Sequence, residues 1–162
     1  MKKVIVIGSP GAGKSTFARK LQKATGLPLY YLDQIWHCPD RTTILPEQFD
    51  SILAEILTRD TWIIDGNYGR TLEMRIKACD TVFLLDFPLD VCLAGVENRI
   101  GQKREDMPWI EETFDEEFRR YIEEFSDTQL PKIYRLLEQY GQDRTIKIFH
   151  SRAQADHYIQ NY

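Results

Sequence analysis

Gly8-Ser9-Pro10-Gly11-Ala12-Gly13-Lys14-Ser15 decides how the rest of the chain is read. The stretch fits G-x-x-x-x-G-K-[ST], a phosphate-binding loop, or P-loop. Val4-Ile5-Val6-Ile7 precedes it as an unbroken apolar run, the pattern of a buried parallel strand. Phe17, Ala18 and Leu21 follow at helical spacing. Strand, glycine loop and helix stand in the required order. A chance match to the bare motif arises in roughly one chain in a few hundred of this length.

The residue types suit the chemistry. Glycines let the backbone curl so that successive N–H groups point at phosphate oxygens. The helix that opens at the loop aims its positive end at the same anion. Gly8, Gly11, Ala12, Gly13, Lys14, Ser15 and Thr16 therefore form the expected ATP-binding segment. Lys14 reaches the terminal phosphates, and the Ser15 hydroxyl ligates Mg²⁺.

The chain has 162 residues, 43% hydrophobic and 28% charged, as in a globular protein with a core of its own. One domain, residues 1–162, is expected. The net charge of −4 argues against broad nucleic-acid binding, which needs a basic face. Cys38, Cys79 and Cys92 are scattered and form no C-x-x-C pair, so neither a disulfide framework nor a zinc site is indicated. No secretory h-region and no apolar run of transmembrane length is present, and a cytoplasmic monomer or homodimer is expected.

Apolar runs alternate with helical patterns, which implies α/β architecture around a parallel sheet. Strands are expected at residues 4–7, 27–32, 61–64, 81–85 and 145–149. Helices are expected at 14–24, from Pro46, at 72–78, from Pro88, from a capping box at Thr113 and Glu116, over 128–140 with Gly141 after it, and beyond Ser151. Residues 34–45 and 66–70 read as loops. Phe49, Ile52, Leu53, Ile56 and Leu57 make a core-facing stripe, and Leu89, Leu93, Val96 and Ile100 another. Trp109, Phe114, Phe118 and Phe125 read as helix packing.

In a parallel sheet, ligands bind beyond the carboxyl ends of the strands. Those ends carry Gly8, Asp33, Asp65 and Asp86. Asp65 suits the metal-side carboxylate, with a turn residue accepting backbone N–H bonds as the plainer reading. Asp33 suits a group that orients an acceptor hydroxyl or takes its proton, or else a cap. Asp86, before Phe87-Pro88, reads as a cap. Arg99 and Arg104 suit a closing segment that neutralises a moving phosphoryl group, or else a solvated basic face. Trp36, Arg41, Asn67, Tyr68 and Arg70 stand in loops past strand ends and are candidates for the acceptor pocket. The alternatives are core packing for Trp36 and surface ion pairing for the two arginines. His37 reads as a partly exposed loop histidine.

Taken together, GSPGAGKST, LPLYYLD, WIIDGNYGR, TVFLLDFP, the Arg99/Arg104 segment and the SR-x-x-AD ending resemble the adenylate-kinase-related P-loop proteins labelled DNA topology modulation proteins (FlaR-like). The similarity covers essentially the whole chain. It implies a P-loop NTPase of nucleoside-monophosphate-kinase type: three α/β/α layers, a five-stranded parallel sheet of order 2-3-1-4-5, an acceptor segment near residues 33–60 and a short lid near 99–113. It also implies ATP and Mg²⁺, and places Asp65 on the strand beside the P-loop strand. Asp65-Gly66 match the Asp-Gly-Phe-Pro-Arg segment of adenylate kinases, and Arg70 falls one residue late. The lid lacks the zinc cysteines of some long-lid relatives.

Two functions follow as expectations. One is ATP-dependent phosphoryl transfer to a small acceptor, whether nucleotide, nucleoside or other polar metabolite, with Lys14, Arg99, Arg104 and Asp33 catalytic and Ser15 and Asp65 at the metal. The other is an ATP-binding switch acting on DNA topology or on a protein partner.

Overall fold

The computed structural model describes residues 1–162. Five strands form one parallel sheet: β1 (Lys3–Gly8), β2 (Leu29–Tyr31), β3 (Trp62–Asp65), β4 (Thr81–Leu85) and β5 (Thr145–Phe149). Their order is β2-β3-β1-β4-β5, the order the resemblance implies. β1 lies at the centre, pairing Val6 with Asp65 on one side and Gly8 with Leu85 on the other.

Eight helices surround the sheet: α1 (Lys14–Thr25), α2 (Leu32–Trp36), α3 (Pro46–Thr58), α4 (Gly69–Ala78), α5 (Leu89–Arg99), α6 (Glu116–Thr128), α7 (Leu130–Tyr140) and α8 (Arg152–Gln160). Side chains alternate across the pleat. Ile5, Ile7, Trp62, Ile64, Val82 and Leu84 meet α3, α4 and α7 on one face. Val4, Val6, Ile63, Phe83 and Leu85 meet α1, α5 and α8 on the other. With both faces covered, the central strands read as continuous apolar runs. α6 straddles the layers, sending Ile122 into one cluster and Phe125 into the other.

Local sequence places most boundaries. Pro46 opens α3, and the Gln48 Oε1 accepts from the Leu45 N–H at 3.0 Å. Ser151 Oγ accepts from the Gln154 N–H at 3.3 Å at the start of α8.

Several expectations need correction. Residues 32–36 form the short helix α2 rather than leading straight into a loop, because Leu32 is drawn fully into the core. α4 begins at Gly69, earlier than Leu72, since Tyr68 takes a left-handed φ of 38° and turns the chain directly into the helix. α6 is capped by Asp115 and not Thr113: Asp115 Oδ2 accepts from the Phe118 N–H at 3.1 Å. Ile52 and Leu89 are exposed, so Phe49, Leu53 and Ile56 carry the α3 contact, and Cys92 and Val96 that of α5. Trp109 stands in the irregular stretch before α6, edge-on to His37 at 4.9 Å. Gly141 is not left-handed; a side chain there would meet the Leu137 carbonyl oxygen at 2.3 Å.

No helix is long and apolar enough to cross a membrane.

Candidate active site

The carboxyl ends of β1, β2 and β3 open into a cleft of about 650 Å³. Its floor is the glycine loop. Gly8 has φ 140° and Gly13 φ 92°, both in the region that favours glycine. Close approach matters too: a Cβ on Gly8 would lie 2.2 Å from the Leu85 carbonyl oxygen. A Cβ on Gly11 would meet the Cys92 carbonyl oxygen at 2.0 Å, and one on Gly95 would meet that of Gly11 at 2.0 Å. The loop is therefore clamped between β4 and α5 by bare backbone.

Asn67 ties the loop from the other side. Its Oδ1 accepts from the Gly8 N–H at 3.0 Å and its Nδ2 donates to the Gly8 carbonyl at 2.8 Å. A buried arginine holds Asn67 in turn. Arg75 has no solvent exposure and donates to the carbonyls of Gly66 at 2.8 Å, Tyr68 at 3.1 Å and Asn67. Burial lowers its pKa to about 9.

At the start of α1, the Ser15 hydroxyl donates to Asp65 Oδ2 at 2.5 Å. Asp65 is 4% exposed, and its Oδ1 is buried without a partner. Burial raises its pKa to about 7, against the opposing pull of Lys14 and the Ser15 hydrogen bond. Lys14 Nζ donates to the Ser9 carbonyl at 3.1 Å. Burial lowers the Lys14 pKa, opposed by Asp65 and Asp33. A divalent cation fits here: Ser15 Oγ and the orphaned Asp65 Oδ1 are hard oxygen donors beside a phosphate-binding loop. No cluster of three or more His, Cys, Asp or Glu accompanies them, so phosphate and water would complete the shell of Mg²⁺.

The opposite wall is the irregular segment between α5 and α6. Arg99 and Arg104 both face the cleft. Glu111 bridges them, at 3.1 Å from Arg99 and 3.4 Å from Arg104, and Asp106 lies 3.6 Å from Arg104. Burial lowers the Arg99 pKa, and the neighbouring Arg104 adds to the effect. The segment touches α2 and the residue that follows it: Gln34 Nε2 donates to the Glu105 carbonyl at 2.7 Å, and Trp109 meets His37.

Asp33 lines the cleft and its Oδ1 accepts from the Tyr68 hydroxyl at 2.6 Å. Burial, with the Asp33 charge and that bond, pushes the Tyr68 pKa far above its ordinary value. Trp36 is turned away from the cleft, edge-on to Phe49 at 5.6 Å and to Tyr68 at 6.3 Å. Arg41 is exposed in a turn with φ 68°, away from the cleft. Arg70 forms a two-pronged ion pair with Asp50 at 2.7 and 2.8 Å and lines a neighbouring cavity instead. Asp86 accepts from the Tyr134 hydroxyl at 2.7 Å, outside the cleft.

The structure adds residues that local reading passed over. Arg19 and Arg152 join Lys14, Arg99, Lys103 and Arg104 around the cleft. Arg152 Nη2 lies 3.4 Å from the Gly11 carbonyl. It follows β5 at the functional edge of the sheet and stands in the SR-x-x-AD ending, the signals that mark it in the sequence. Arg19 sits on the polar side of an amphipathic helix and carries no such mark.

This architecture recurs in solved structures. Shikimate kinase from Bacteroides thetaiotaomicron superposes with a TM-score of 0.56, at 15% identity, over 98% of this chain and 94% of that one. A sugar kinase from Janibacter sp. HTCC2649 gives 0.53 at 18% identity, over 99% and 91%. The fold is that of a P-loop kinase. Sequence similarity points the same way. Adenylate kinases of Thermotoga petrophila and Thermotoga maritima are each 30% identical over 100 residues, 58% of this chain. The match spans 43% of the length of those enzymes. No family profile matches the chain.

Proposed function

We propose that the protein transfers a phosphoryl group from ATP to a small-molecule acceptor. One observation carries the reading: the Ser15–Asp65 pair and Lys14 sit at the foot of the glycine loop, facing Arg99 and Arg104 across one polar cleft. Phosphoryl transfer asks mainly for positioning and charge neutralisation, and this arrangement supplies both.

Backbone N–H groups of Gly11 to Thr16 and the N-terminus of α1 hold the ATP phosphates. Lys14 neutralises the terminal phosphates. Ser15 and Asp65 would hold Mg²⁺, which supplies Lewis-acid stabilisation of charge on the phosphate oxygens when bound. Arg99 and Arg104 exchange their carboxylate partners for the moving group. With a hydroxyl acceptor, the acceptor oxygen bonds to the γ-phosphorus while the β–γ bridging bond breaks, and ADP leaves with the bonding pair. The acceptor proton passes to Asp33, whose Oδ1 is steadied by Tyr68 and whose other oxygen is available. The DGNYGR stretch and Arg104-Glu105-Asp106-Met107-Pro108 support a place within the FlaR-like group of topology modulation proteins.

ADP release measured across nucleoside monophosphates, nucleosides, shikimate and simple sugars tests the reading. At least one acceptor should raise turnover well above the rate with water alone, and Lys14→Ala should lower that turnover by roughly 10²–10³ in a variant that thermal melts show to be folded. Turnover that no acceptor stimulates would refute the transfer reaction.

A further inference from the structure

A second cavity, of about 510 Å³, lies beside the cleft between α4, α6 and α7. Its volume is in the range that takes a whole small ligand. Phe125 and Ile133, both in the core, form an apolar back wall together with Leu72 and Leu136. Three cations line it, Arg70, Lys132 and Arg135, and no acid does. This is an unusual sign in a chain of net charge −4. Arg70 is satisfied by Asp50, but Lys132 and Arg135 are exposed and take part in no ion pair within the chain. An apolar wall edged by two unpaired cations is complementary to a ligand with a ring or apolar body and an anionic group.

The two cavities share a boundary. Asn67, Gly69 and Tyr121 line both. Asn67 is the residue that grips Gly8 of the phosphate loop. A molecule seated in the side cavity thus touches the same short loop that leads away from Asp65.

We infer that this side cavity holds the body of the phosphoryl acceptor, an anionic molecule with an aromatic or apolar portion, whose accepting group reaches the cleft past Tyr121. The inference rests on the phosphotransfer reading above. Lys132 and Arg135 then set acceptor affinity, and the glycine loop with its arginines handles ATP.

The site is tested in two ways, one of which needs no catalysis. First, 8-anilinonaphthalene-1-sulfonate, an anionic aromatic dye, is titrated into the protein while backbone amide shifts are followed. Saturable shifts should appear along α6 and α7, and Lys132→Ala/Arg135→Ala should weaken the dye about tenfold. Shifts absent from these helices, or an affinity unchanged in the double variant, overturn the site. Second, the acceptor that best stimulates ADP release should displace the dye. Its KM should rise about tenfold in the double variant and in Leu136→Trp, which fills the cavity, with the KM for ATP within about twofold of the original. An unchanged acceptor KM, or a preference for neutral sugars and nucleosides, overturns the inference while leaving the transfer reaction standing. Dye binding without any acceptor-stimulated ADP release refutes the transfer reaction itself, and the acceptor assignment falls with it. Melting temperatures of all variants separate these outcomes from misfolding.

Discussion

Asp65 is a carboxylate held out of water beside Lys14 and Ser15, and its protonation is coupled to folding. Its pKa rises from 3.8 to about 7 in the fold, chiefly through burial. The folded state therefore binds more protons than the unfolded chain between these values. Stability falls as pH rises from about 4 to about 7 and is level above that. The ionised form costs at most roughly 4 kcal/mol. Asp65→Asn removes the charge and keeps the shape. Thermal melts without nucleotide should show a flatter profile between pH 4 and 7 and a higher Tm at pH 8 than the parent chain, together with loss of phosphoryl transfer. Parallel profiles for the two proteins would show that Asp65 is already neutralised in another way. Sites that bind phosphate and metal commonly give up stability of this kind.

Between elements, the contact of α5 with the glycine loop is made by backbone against backbone. Gly95 is the residue that permits it, since even a Cβ there would sit 2.0 Å from the Gly11 carbonyl oxygen. Gly95→Val should push α5 off the loop, at a cost of about 1–3 kcal/mol in denaturant unfolding. ATP affinity, measured by calorimetry, should fall at least about tenfold because the N–H groups lose their aim. An ATP affinity equal to that of the parent would mean that the loop holds its shape without α5. Nothing in the local sequence marks Gly95: it stands inside a helical pattern, where a glycine is usually only a weak point. Arg75 was equally opaque. Beside Leu72 and Ile76 on an amphipathic helix, it reads as a surface charge, and only the three carbonyls of residues 66–68 explain its burial.

Across the whole molecule, the cleft is assembled from parts far apart in the chain. The glycine loop, the ends of β2 and β3, the segment after α5 and the start of α8 all contribute. Arg99 and Arg104 are tied to Glu111 and Asp106, at a distance from Ser15 in sequence but across one cleft from it in space. In steady-state kinetics, Arg104→Ala should lower kcat by roughly 10²–10³ while changing the KM for ATP only a few-fold, as for a group acting on charge that develops in transfer. A KM that rises with kcat unchanged would make Arg104 a binding residue only.

The motif Gly8–Ser15, the apolar strands and the helical stripes were enough to define the α/β class, because an unbroken apolar run and a 3.6-residue period each report local burial directly. The strand order came from resemblance and agrees with the observed sheet. Asp65 was legible by the same logic, since a parallel sheet gathers its carboxyl ends at one edge; Asp33 reaches that edge from α2, and Asp86 stays outside the cleft. Packing across the fold decided what lies around them. It turned Trp36 towards Phe49, paired Arg70 with Asp50, locked Asn67 to Gly8 and brought Arg19 and Arg152 to the cleft. It also opened the side cavity between helices α4, α6 and α7. Periodicity tells which face of an element is buried. It carries no information on which distant element meets that face, and the partners of these side chains are set by such long-range meetings.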